Sequence, residues 1–174
     1  MMNSLSSRLR ALGITEEMEQ TCSMPRYEET TELVDVGEDM FGRPQQLTAD
    51  ACDAWHRMRS AAARDGIELK LVSAHRSVDY QCQLIQDKLD QGRTIEDILC
   101  VNAIPGHSEH HTGRALDLHA GDEEPLLESF EKHPAFDWLN RNAAAFGFYL
   151  SYPRDNLDGI DYEPWHWCFR SAGA

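Results

Sequence analysis

The chain contains no Cys-x-x-Cys pair, no apolar run near the roughly 20 residues that cross a bilayer, and few cations. Sixteen Lys and Arg stand against 30 Asp and Glu, a formal net charge of −14. That balance excludes non-specific nucleic-acid binding and docking to anionic membrane surfaces. It also means that an acidic substrate needs cations placed locally, because the overall field repels it. The five cysteines (Cys22, Cys52, Cys82, Cys100 and Cys168) are odd in number and scattered. They read as reduced, mostly buried thiols rather than a disulfide framework. Residues 1–23 carry two arginines but lack an apolar stretch of about 7–15 residues and a small-residue cleavage site, so no secretory signal is read. Thiols and missing signal together lead us to expect a cytoplasmic protein. No repeat, low-complexity tract or linker is present. With 174 residues, 41% of them hydrophobic, the chain can build one domain with a real core but not two comfortable ones.

Periodicity supplies the elements. Ser4 to Leu12 and Glu16 to Thr21 read as short helices divided at Gly13, and Thr31 to Val36 as a strand or extended arm. Phe41-Gly42-Arg43-Pro44 is a turn. Thr48 is placed to cap a helix whose Ala51, Ala54, Trp55, Met58 and Ala62 share one face. After Asp65-Gly66, Leu69 to Ala74 alternates as a strand. Ser77 caps the next helix, with Tyr80, Leu84, Ile85 and Leu89 expected inward, and Thr94 to Cys100 forms a further short helix. Ile104-Pro105-Gly106 breaks into a loop, and Arg114 to His119 alternates as a strand with Ala115, Asp117 and His119 on one face. Pro134 to Phe146 is a helix ended by Gly147, and Phe148 to Tyr152 and Trp165 to Phe169 are strand-like. The expected class is α+β: a small, mostly antiparallel sheet flanked by helices, with the functional site in a cleft on the sheet.

Two segments carry the chemistry. Ser108-Glu109-His110-His111-Thr112-Gly113-Arg114-Ala115-Leu116-Asp117 is answered near the C-terminus by Glu163-Pro164-Trp165-His166. His110, Asp117 and His166 are candidate ligands for one divalent metal. Two imidazoles and a carboxylate suit Zn²⁺, and three protein ligands leave a position for water, as catalytic sites do. With one carboxylate ligand the site keeps about +1 charge, which lowers the pKa of bound water and polarises a carbonyl. Glu163 is the free carboxylate that metal-assisted hydrolysis needs as general base. His110 and Asp117 are seven residues apart around Gly113, a spacing for a loop ligand followed by a strand ligand rather than for two positions on one helix. Pro164 disfavours a helix interior between Glu163 and His166, so Trp165 is expected in the core with His166 facing the site. A single histidine is usually a surface or core residue; the conjunction of the two segments carries the reading. His111 and His119 remain rivals for a ligand position. His75 and His107 are expected to line the cleft, and His56 and His133 to be structural or exposed.

These residues resemble the zinc D,D- and L,D-carboxypeptidases of bacterial cell-wall metabolism, the VanY-like family. Its wider group includes lysostaphin-type peptidases and the hedgehog amino-terminal domain. The resemblance extends to Val72-Ser73-Ala74-His75-Arg76-Ser77-Val78-Asp79-Tyr80-Gln81 and to Phe146 through Pro153, and covers roughly residues 44–169. Residues 1–42 lie outside it, as a helical extension or arm before a carboxypeptidase domain over 43–174. The resemblance implies one Zn²⁺ held by His110, Asp117 and His166, with Glu163 taking a proton from water and delivering it to the leaving amine. It implies that Arg76 orients the scissile carbonyl and stabilises the oxyanion, and that Gln81 and Ser108 hold the substrate's terminal carboxylate. His75 departs from the pattern, standing where the family often has an aromatic residue.

The implied partners are peptidoglycan stem peptides or muropeptides, with no nucleic acid and no membrane; oligomeric state is not legible. The reading is an L,D-carboxypeptidase removing the terminal D-alanine of tetrapeptides. The alternatives are a D,D-carboxypeptidase acting on pentapeptides, a peptidoglycan endopeptidase, and a non-enzymatic zinc-binding module.

Overall fold

The structure, a computed structural model, describes residues 4–171. Two short helices lead, α1 (Leu5–Ala11) and α2 (Glu16–Thr21), capped by the side chains of Ser4 and Thr15. A hairpin follows, β1 (Val34–Glu38) and β2 (Pro44–Leu47), and its turn contains the boundary expected at residues 42 and 43. The remaining elements are α3 (Ala49–Arg64), β3 (Lys70–Ser73), α4 (Val78–Asp90), α5 (Ile95–Leu99), β4 (Ala115–His119), α6 (Pro134–Asn142), β5 (Phe148–Leu150) and β6 (His166–Phe169). The second sheet has the order β3-β4-β6-β5, and every pairing in it is antiparallel. This is the expected α+β architecture. No helix among the described residues is long and apolar enough to cross a membrane.

The main core lies between that sheet and helices α3 and α6. The anticipated face of α3 is fully buried at Ala51, Ala54, Trp55, Met58 and Ala62, against Leu116, Leu118, Leu139 and Phe148. Each large side chain buried there contributes about 1.5–3 kcal/mol. α6 ends at Asn142, and a 3₁₀ turn over Ala143–Phe146 completes the segment read as one helix. A second cluster packs Leu9 of α1, with Leu12 and Ile14 of the loop after it, against Cys82, Ile85, Ile98 and Ile104. A third joins Met24 to Ala103, Tyr152 and Ile160.

Three expectations change. Tyr80 is 53% exposed, and Gln81 takes the inward position on α4, because that helix face abuts polar groups rather than the core. In β3 both Leu71 and Val72 are buried, since a register shift between Leu71 and Ser73 interrupts the alternation. Trp165 is only partly buried: it packs at the edge of the core and lines the cleft beside His166. Of the cysteines, Cys52, Cys82 and Cys168 are buried, Cys22 is half-buried and Cys100 exposed, all as free thiols.

Candidate metal centre

His110 lies in a 3₁₀ turn, Glu109–Thr112, capped by Ser108, whose Oγ accepts the His110 backbone N–H at 3.3 Å. The turn ends at Gly113 with φ of 67°, a conformation that suits glycine. A Cβ there would come within 2.9 Å of Leu33 and 3.0 Å of Thr30, so the N-terminal arm lies directly over the turn. Asp117 is central in β4, and His166 opens β6 as its direct cross-strand partner. Glu163 precedes β6 in a turn that Pro164 keeps from becoming a helix; the His166 N–H donates to the Glu163 carbonyl at 3.1 Å.

The three expected ligands converge and are buried, with one ligand atom from each lying within 4.8 Å of the others. His110 Nε2 is 3.3 Å from Asp117 Oδ2, and His166 Nδ1 is 3.1 Å from Asp117 Oδ1. Bonds of about 2.0–2.1 Å to one tetrahedral ion place ligand atoms ~3.3 Å apart, so the set fits zinc. The opposite nitrogen of each ring is also occupied. His110 Nδ1–H donates to the Ala74 carbonyl at 2.6 Å, and His166 Nε2–H donates to Glu109 Oε2 at 2.9 Å. These bonds present Nε2 of His110 and Nδ1 of His166 to the metal position, the outer support that ligating histidines need. Glu109 also accepts a 2.6 Å bond from the Ser151 hydroxyl. The sequence reading gave Glu109 no role; its adjacency to His110 in the motif was the available signal.

The electrostatics follow from this burial. Burial opposes the charge of Asp117, yet His110 and His166 hold it well below the usual carboxylate range. Burial also opposes charge on Glu109, and the His166 hydrogen bond brings it to about 2. For His166 burial is outweighed by hydrogen bonds to Asp117 and Glu109, which lift it to about 10. Burial lowers His110. Glu163, 8% exposed and 3.8 Å from His166 Nδ1, is pushed up to about 8 by burial. A carboxyl group poised there can accept and return a proton near neutrality.

Arg76 points its guanidinium at the same centre. Its Nη2 is 3.6 Å from Asp117 Oδ2, and its Nη1 donates to Gln81 Oε1 at 2.9 Å. Gln81 is fully buried, and its Nε2 donates to the Ala103 carbonyl. Gln81 thus braces Arg76, and these bonds use only one of the two N–H donors of its amide. Ser108 does line the cleft, with Arg76, His110, Asp117, Glu163, Trp165 and His166. The cleft encloses about 310 Å³, room for the end of a peptide.

The rival histidines lie elsewhere. His111 Nδ1–H donates to the Arg76 carbonyl at 2.6 Å, and its Nε2 accepts the Gly106 N–H at 3.1 Å, so both nitrogens hold loops in place. His119, at the far end of β4, packs against Phe130 with the two rings tilted. His75 lines a neighbouring groove with Gln46 and Tyr80 rather than the cleft, and His107 faces the Met24 carbonyl. His133 caps α6, and His56 is exposed.

Comparison with known proteins agrees with this geometry. The family model described as VanY, D-alanyl-D-alanine carboxypeptidase, matches residues 44–172. A putative carboxypeptidase, YodJ, of Bacillus subtilis (strain 168) is 35% identical over 125 residues, covering 69% of this chain and 45% of the relative. This chain thus spans less than half the length of that protein. The structure of the LD-carboxypeptidase LdcB is similar at 33% identity and a TM-score of 0.71, over 82% of this chain and 69% of that one. The D,D-pentapeptidase VanY of a VanB-type vancomycin-resistance cassette, solved with Zn(II), shares the fold at 24% identity and a TM-score of 0.63, over 81% and 79% of the two chains. With the family model covering all but the N-terminal arm and hairpin start, this chain belongs to the VanY D-alanyl-D-alanine carboxypeptidase family.

Proposed function

We propose that this chain is a zinc-dependent L,D-carboxypeptidase that removes the terminal D-alanine from peptidoglycan-derived tetrapeptides. The observation that carries the hydrolytic reading is Glu163: a free, buried carboxyl beside three converging ligands, inside a cleft that admits a peptide end. A purely structural metal site has no use for such a group.

His110 Nε2, Asp117 and His166 Nδ1 would hold the zinc, which supplies a Lewis acid and lowers the pKa of water. Glu163 accepts a proton as the water oxygen bonds to the scissile carbonyl carbon, then passes it to the nitrogen as the C–N bond breaks. Arg76, held by Gln81, orients the carbonyl and offsets the charge that develops on its oxygen. The surrounding burial keeps these charges in a low-dielectric setting, where they act strongly.

Two considerations support L,D over D,D. LdcB, with 33% identity, is named an LD-carboxypeptidase. The same proposal places the chain in the cytoplasm, where a D,D-enzyme would consume the cell's own pentapeptide precursor and an L,D-enzyme would trim recycled tetrapeptide. The D,D alternative is favoured by the description of the family model itself.

Mass spectrometry of the zinc-loaded protein with matched tetrapeptide and pentapeptide muropeptides tests both. Conversion of tetrapeptide to tripeptide with one alanine released is the expected result. Conversion of pentapeptide alone makes it a D,D-enzyme and withdraws the argument for the cytoplasm. Fragments larger than alanine indicate an endopeptidase, and no cleavage at all leaves a zinc-binding module.

A further inference from the structure

Lys88, near the end of α4, lines the same cleft as Ser108 and Glu163. It is partly buried, and its Nζ donates to Asn102 Oδ1 at 3.1 Å. Asn102 is itself buried, and its Nδ2 donates to the Ile98 carbonyl at 2.9 Å, which fixes the amide with its oxygen toward Lys88. An ammonium group has three donors, and this bond uses one. Among the described residues Lys88 forms no ion pair, although the chain has 30 acidic residues. Partial desolvation of a cation without a counter-charge is unfavourable, and burial, with Arg93 and Arg76, lowers the Lys88 pKa.

The other cation of the cleft is already engaged: Arg76 faces Asp117, Gln81 and Ser73. Gln81 and Ser108 can offer only neutral donors. The leaving amino acid must place its amine within reach of Glu163, and its carboxylate is one carbon from that amine. Lys88 and Glu163 line the same cleft. We propose that Lys88, braced by Asn102, receives the free C-terminal carboxylate of the substrate. The inference rests on the carboxypeptidase reading and gives it a residue that selects for a free peptide terminus.

The test compares kcat/KM for matched peptides ending in D-alanine and in its carboxamide, using the intact zinc-loaded protein. The parent protein prefers the acid. Lys88→Met lowers kcat/KM for the acid about 10- to 100-fold, mainly through KM, and lowers it much less for the amide. Lys88→Arg recovers part of the loss. Asn102→Asp, which keeps the side-chain shape and gives Lys88 an internal counter-ion, also reduces the acid preference, and it serves if the Lys88→Met protein does not fold. Equal losses on acid and amide, or an unchanged preference in these variants, overturn the assignment of Lys88 while the carboxypeptidase reading stands. A parent protein that releases no alanine overturns both.

Discussion

Asp117 and His166 are direct partners across the β4–β6 ladder, with Oδ1 and Nδ1 3.1 Å apart. Two of the three candidate ligands are thus fixed by sheet register, and only His110 depends on a loop. His110→Ala or His166→Ala is expected to abolish zinc retention and turnover together, measured as metal content after gel filtration and alanine release. A variant that retained stoichiometric zinc would remove that residue from the ligand set.

Glu163→Gln is expected to keep zinc while losing about 10²–10⁴-fold in rate, the usual cost of removing a general base. Loss of the metal in this variant would make Glu163 a ligand instead.

Glu109→Gln tests the support behind His166. The neutral amide no longer offers a charged acceptor to Nε2–H, and zinc affinity or activity is expected to fall about 10- to 100-fold. Competition with a chromogenic chelator reads the affinity directly; an unaltered zinc affinity and rate would show that Ser151 and the sheet suffice to hold the ring.

Arg76→Lys keeps the charge and removes the guanidinium fork that spans Gln81 and Asp117. It is expected to reduce kcat strongly with zinc content unchanged, because a point ammonium cannot make both contacts. Full activity with lysine would mean that charge alone is required there.

Gly113→Ala meets both an unfavourable backbone conformation and contacts of 2.9 Å and 3.0 Å with Leu33 and Thr30. A loss of about 1–3 kcal/mol is expected from the conformation alone. Denaturant unfolding measures it, and an unshifted midpoint would show that the arm yields at no cost.

The ligands were legible because their spacing around Gly113 and Pro164 excludes a helix and leaves strand and loop positions. The buried face of α3 was legible because 3.6-residue periodicity reports a helix against an apolar core. The same rule misplaces Tyr80 and Gln81, since α4 turns part of its inward face to Arg76 and the Ala103 carbonyl, where an amide is worth more than a ring. Strand β2, Pro-Gln-Gln-Leu, has too little apolar character to announce itself and owes its form to its partner β1. Glu109 and Lys88 acquire their roles only through residues distant in sequence, His166 and Asn102, and no local pattern encodes such meetings.

The segment before the family match is woven into the wall behind the metal centre. Tyr27 N–H donates to the Gly106 carbonyl and Thr30 N–H to the His111 carbonyl, while Met24 packs on Tyr152. The stretch inherited with the family and the stretch that folds as a unit are therefore different lengths of chain. A fragment trimmed to the match would keep every ligand, yet uncover Ile85, Ile98 and Ile104 and release the brace over Gly113.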